Sequence, residues 1–144
     1  MILPVARRVK RVRRKRTLNP LEPAVTYTKG QTVRLNNVYF KASSAELRTD
    51  SYQEIDRLIE QMQQRQTLRI RLEGHTDVIG DATLNQQLSE DRVVVIRTYM
   101  INKGINSERI EVKGYGDTKP LKRNCLPPGG CPENRRVEFV VLTE

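Results

Sequence analysis

Residues 68–104 read LRIRLEGHTDVIGDATLNQQLSEDRVVVIRTYMINKG, and the fold turns on them. Leu68, Ile70 and Leu72 alternate with Arg69, Arg71 and Glu73, the period of a half-buried strand. Gly74 closes that strand, and a loop follows that carries His75, Thr76, Asp77 and Gly80. The period then lengthens to that of a helix running from about Thr83 to Asn102. Gly104 falls where a residue of positive φ ends a helix.

The helix contains a residue that its own pattern does not explain. At about 100° per residue, Leu84, Leu88, Val95, Ile96 and Tyr99 share one stripe, and Arg92 falls near its middle. Asn85 lies on the same side. A guanidinium against a buried face is costly without an anionic partner. Asp77 sits just past the C-terminal end of the strand, where ligands commonly bind in α/β architectures. Two readings follow. Arg92 and Asp77 bridge each other and tie loop to helix, the commoner use of such pairs. Alternatively both face one cavity and hold a zwitterion, the carboxylate taking an ammonium and the guanidinium a carboxylate in a two-pronged bond.

Working outward, Val33 and Leu35 alternate with polar neighbours and lead to Val38, Tyr39 and Phe40, a first strand kinked at Asn36-Asn37. Ser51 and Glu54 have the spacing of a capping box. Ile55, Leu58, Ile59 and Met62 give a helical stripe, so a helix is predicted from about Thr49 to Gln64. Ile110 and Val112 form a short strand before Gly114-Tyr115-Gly116, a long Pro- and Gly-rich loop follows, and Val137–Leu142 is the last strand. The order β-α-β-α-β-loop-β argues an α+β or α/β sandwich with two helices covering one sheet.

The chain has 144 residues, enough for one ordinary domain. Its net charge of +9 is uneven: residues 1–16 hold eight of the 26 basic side chains and none of the 17 acidic ones. The rest is nearly neutral, which argues against a domain that binds nucleic acid by a basic face. No apolar stretch approaches the roughly 18 residues of a membrane-crossing helix. Met1–Ala6 is too short an apolar run for a signal peptide and precedes its charges, so an exported protein would have its leader outside this sequence. Two Cys and one His are too few for a closed zinc site. His75 could suggest acid–base chemistry, but no nucleophile with a base and an orienting group can be placed, so no enzyme, metal or cofactor is expected. Residues 1–30 read as a basic, extended or disordered arm and residues 31–144 as the domain. The arm suits a linker drifting to anionic membrane surfaces. Nucleic-acid binding through it is the alternative of another class, weakened by the lack of an aromatic residue before Tyr27.

The motifs Gly74-His75-Thr76-Asp77, Gly80, Leu84-Asn85, Leu88-Ser89 and Arg92 resemble the OmpA-like peptidoglycan-binding domain. So do Tyr99, Gly104-Ile105, Arg109-Ile110, Gly114-Tyr115-Gly116, Pro120, Asn124 and Asn134-Arg135-Arg136-Val137-Glu138, so that the resemblance spans Gln31 to Glu144. It implies an α+β sandwich of order β-α-β-α-β-β, with two main helices on one face of a small mixed four-stranded sheet. It implies non-covalent binding of the peptidoglycan stem peptide, with Asp77 and Arg92 holding the ammonium and carboxylate of meso-diaminopimelate. Asn85 would bond ligand or loop backbone, Thr76 and Leu88 would line the pocket, and Phe40 matches an aromatic at the end of the first strand. Lys41 stands where many relatives carry an acid beside that aromatic, and Val93 replaces the usual Ala. Arg136 is matched to seating Asp77 or a ligand carboxylate, with a structural role for Arg135-Arg136 as the alternative.

The resemblance places the protein in the periplasm of a Gram-negative bacterium, anchoring the outer membrane to the wall. Its alternative is the wall-anchoring part of a flagellar stator or secretion component. In that oxidising compartment Cys125 and Cys131 are expected to form a loop disulfide, against the alternative of two free thiols.

Overall fold

The computed structural model describes residues 25–144. Most of the expected arm, with its membrane and nucleic-acid readings, lies outside the described residues. Four strands form one sheet: β1 (Thr32–Arg34), β2 (Arg69–His75), β3 (Ile110–Gly114) and β4 (Arg136–Thr143), in the order β1-β4-β2-β3. β2 and β3 run parallel, and β4 is antiparallel to both β1 and β2. Two helices, α1 (Tyr52–Gln64) and α2 (Ala82–Asn102), complete the fold. The α+β class and the mixed four-stranded sheet are as expected.

Each helix is bounded by local chemistry. Asp81 caps α2 by accepting from the Leu84 N–H at 3.0 Å, and Gly104 takes φ +105° just past its end. Arg109 closes the end of α1 by donating to the carbonyls of Met62, in its last turn, and Arg65, just past it. The capping box does not form. The Ser51 side chain is buried and bonds both N–H and C=O of Tyr39, so it ties α1 to the first strand region instead of capping. That region is also less regular than its alternation suggests. β1 is three residues long, Asn37 adopts φ +61°, and Phe40 survives only in an isolated bridge to Leu47. Tyr27 is buried, with its ring against Phe139 and its hydroxyl bonded to Gln61, so the packed chain begins before Gln31.

The face that α2 turns to the sheet differs from the expected stripe. Ser89, Arg92, Val93, Ile96 and Met100 are buried, whereas Leu84 is 70% exposed. Two glycines cause this. A Cβ on Gly74 would lie 2.5 Å from the Ser89 carbonyl oxygen, and one on Gly114 would lie 2.6 Å from the Glu90 nitrogen. The helix therefore rides on the sheet backbone, with Ser89 seated between β2 and β3, and its neighbour Arg92 is carried to the C-terminal end of β2. Gly74→Ala is expected to push α2 off β2. Such overpacking costs about 2 kcal/mol or more, a fall in Tm of roughly 5–10 °C. An unchanged Tm by differential scanning calorimetry would show that the close approach is not needed.

Candidate functional site

The parallel pair β2–β3 ends at Gly74 and Gly114, and at that end the chain gathers its unusual side chains. The turn after β2 holds Asp77, β4 begins there with Arg136 opposite His75, and the 125–131 loop lies between β3 and β4. A cavity of about 730 Å³ opens here. Its walls include Phe40, Lys41, Arg48, His75, Arg92, Pro128, Gly129, Arg135 and Arg136, giving five cations and no acid.

Arg92 is the exceptional member. It is 8% exposed, its Nε donates to the Ser44 carbonyl at 2.9 Å, and its guanidinium stands 4.9 Å from the Phe40 ring centre, a cation–π distance. The other four cations each have a carboxylate within 4 Å: Lys41 with Glu46, Arg48 with Asp50, Arg135 with Asp77 and Arg136 with Glu138. Among the described residues Arg92 has no acidic partner, and its two terminal nitrogens make no hydrogen bond. Burial, and then the nearby charge of Arg135, work against its cation and pull its pKa down.

Asp77 and Arg92 do not bridge each other, and Asp77 does not line the cavity. The Asp77 carboxylate lies behind the wall as an anchor for the loop. Its Oδ1 accepts from the Val78 N–H at 2.8 Å and the Asn134 amide at 3.2 Å. Its Oδ2 accepts from the Cys131 N–H at 2.7 Å and, at a long 3.4 Å, from Arg135. Burial alone would push this carboxyl up. The Cys131, Asn134 and Val78 hydrogen bonds and the Arg135 charge outweigh it and hold the pKa below its usual value. Gly130 is pressed so closely onto Asp77 that a Cβ there would sit 1.9 Å from Oδ2.

Cys125 and Cys131 are joined in a disulfide, with Cα atoms 5.3 Å apart. Asn134 is fully buried and organises the same loop. It accepts from the N–H groups of Leu121 and Lys122 and donates to the Lys122 carbonyl.

The remaining expected residues divide between wall and support. Phe40 and Arg136 line the cavity. Asn85 donates to the Ile79 and Asp77 carbonyls, and the buried Thr76 hydroxyl donates to the Asp77 carbonyl, so both shape the turn behind the wall. Leu88 is half-buried and is not part of the wall. Sequence reasoning left out Arg48 and named Arg135 only with Arg136 in a structural role, since the positions of both depend on loop paths without periodicity. Lys41, noted only as a departure, stands at the rim.

His75 is 3% exposed, stacks on Tyr115 with ring centres 5.3 Å apart, and lies 3.7 Å from Glu138. Burial, then the Arg136 charge, lower its pKa to about 4 against the opposing pull of Glu138. The fold therefore keeps this imidazole neutral. Below its unfolded value of 6.5, the unfolded chain binds a proton that the folded one does not. Stability from His75 is whole above about pH 6.5 and falls, by up to about 3 kcal/mol, as pH drops towards 4. In urea titrations across this range, His75→Phe, which keeps the stacking, should show a shallower decline than the parent. Equal slopes would remove His75 as the cause.

The comparisons with known proteins agree with this architecture. Residues 39–130 match the model of the OmpA family. The chain is 34% identical to outer membrane porin F of Pseudomonas aeruginosa over 109 residues, 75% of this chain and 31% of that protein. It is 29% identical to the peptidoglycan-binding protein ArfA of Mycobacterium tuberculosis over 104 residues, 72% of this chain and 32% of that one. The solved cell wall anchor of the type VI secretion system of Pseudomonas aeruginosa superposes with a TM-score of 0.63 at 26% identity, over 78% of this chain and 80% of that one. The chain spans only about a third or less of both curated relatives. With two helices over a mixed sheet and a family model matched over most of the described residues, the chain belongs to the OmpA family.

Proposed function

We propose that the domain binds the stem peptide of peptidoglycan non-covalently and so anchors an outer membrane or envelope complex to the cell wall, in the periplasm. The observation that carries this reading is Arg92, a buried cation with unspent donors beside a cavity and no acid of its own. Such a group is stabilised by an anion brought from outside. A diaminopimelate end supplies a carboxylate for Arg92 and an ammonium for Asp77. The ammonium would displace Arg135, the longest and weakest of the four contacts that Asp77 accepts. The names of the relatives, a peptidoglycan-binding protein and a cell wall anchor, support the ligand class. The likeness to a secretion-system anchor also favours the variant in which the domain holds a secretion complex. The site suits binding and not cleavage, since His75, the lining imidazole, makes no hydrogen bond to a hydroxyl or thiol among the described residues.

The test is co-sedimentation of the full chain with purified diaminopimelate-type sacculi, with free meso-diaminopimelate as competitor. Saturable sedimentation reversed by the competitor is expected. Sedimentation that the free amino acid does not reverse would put the binding elsewhere.

A further inference from the structure

The cavity has more unspent cationic donors than one carboxylate can satisfy. Arg136 is 7% exposed; its Nε holds Glu138 at 2.6 Å, its Nη2 donates to the Lys119 carbonyl at 3.0 Å, and its buried Nη1 has no partner among the described residues. Arg135 makes both of its contacts, to Asp77 and to the Gly129 carbonyl, through Nη1. Its Nε and Nη2 form no hydrogen bond among the described residues. Arg135 is also close enough to Arg92 for its charge to oppose that cation, a repulsion that an anion between them relieves. A cavity of about 730 Å³ exceeds what one amino-acid end fills. The wall offers no acid to meet a second ammonium, and His75 is held neutral.

Resting on the stem-peptide reading above, we propose that the cavity takes a ligand with two anionic groups. One sits on Arg92 and the other on the Arg135–Arg136 side. Arg135 is then a specificity-determining residue, favouring stem peptides whose glutamate α-carboxylate is free over those in which it is amidated. The γ-linkage of that glutamate leaves its α-carboxylate one residue away from the diaminopimelate end, as a negatively charged acceptor. Amidation replaces it with a neutral group that presents donors to donors.

Calorimetric titration with two soluble stem tripeptides tests this, one with the glutamate α-carboxylate free and one with it amidated. The parent should bind the free acid at least about tenfold more tightly. In R135Q the two affinities should converge to within about twofold, the free acid weakening towards the amide, while R135K keeps part of the preference. The Asp77 anchor retains three other donors in these variants, and the ratio of the two affinities cancels any general loosening of the loop. If the parent binds both tripeptides alike, the second subsite is overturned and the Arg92 reading stands. If R135Q keeps the parent's ratio, Arg135 is not the selector. If neither tripeptide binds the parent, the stem-peptide reading itself fails.

Discussion

Arg92→Met is expected to lower affinity for diaminopimelate-type sacculi by at least about a hundredfold while leaving Tm close to the parent's. Two charge-assisted hydrogen bonds from one guanidinium to one carboxylate amount to on the order of 3 kcal/mol or more, about a hundredfold in binding. The stability side follows from what Arg92 lacks. It is buried, has no carboxylate partner among the described residues, and uses one of its donors, to Ser44. Replacing an uncompensated buried charge by an apolar side chain of similar length is commonly neutral or stabilising. Methionine also keeps a favourable contact with the Phe40 ring. The opposing loss is the hydrogen bond to the Ser44 carbonyl, about 1 kcal/mol. Arg92→Lys should fall between parent and Met, because an ammonium keeps the charge and loses the planar fork. The decisive outcome is the pairing of the two measurements. A steep fall in Tm with Arg92→Met would make Arg92 a structural residue, and sedimentation equal to the parent's would remove it from the site.

The elements that local chemistry determines were legible in the sequence. The alternation of Leu68, Ile70 and Leu72 gave β2, and Gly104 marked the end of α2 to the residue. The buried side of α2 was not legible from its wheel. Its apolar residues point to a stripe through Leu84, whereas the real contact is set by two glycines on other strands that admit Ser89. A wheel counts one helix's side chains, and the partner surface decides which of them are covered. Ser51 illustrates the same limit: its spacing to Glu54 fits a capping box, but its hydroxyl is taken by the Tyr39 backbone, twelve residues away in the chain.

The site was legible in its charges and less so in its layers. Arg92 stood out because a cation on an apolar face needs an explanation, and Asp77 because it follows a strand end. Nothing in local spacing shows that a loop more than fifty residues further on would cover Asp77 with the Cys131 N–H and the Asn134 amide. That contact is made by backbone and by a fold-dependent loop path, neither of which has a periodic signature. The part played by Arg135 was hidden for the same reason, since Arg135 and Arg136 are adjacent and alike in the sequence. Only the start of β4 separates a half-exposed side chain from one buried against Glu138.

That covering predicts how Asp77 and Arg92 will differ when each is removed. Asp77→Ala is expected to lose both stability and wall binding, where Arg92→Met loses binding alone. The carboxylate accepts from the Val78 and Cys131 N–H groups and the Asn134 amide, all at hydrogen-bonding distance. Deleting it leaves the Val78 and Cys131 N–H groups without an acceptor and takes one acceptor from Asn134 and from Arg135, which keep the Lys122 and Gly129 carbonyls, a loss of about 3 kcal/mol for a broken buried charged network. Asp77→Asn restores the shape but turns an NH₂ group towards N–H donors, so it should recover little. The pH dependence has a definite sign. The folded pKa lies below the usual value of 3.8, so the carboxylate's contribution is whole above that value and is lost as pH falls through the folded one. The difference in unfolding free energy between parent and Asp77→Ala should therefore narrow in acid. Sedimentation with sacculi well below the variant's own Tm separates the two duties of this side chain. A folded Asp77→Ala that still sediments like the parent would leave Asp77 as the loop's anchor and exclude it as the partner of a ligand ammonium. A variant with the parent's Tm would deny the anchor, whatever the binding.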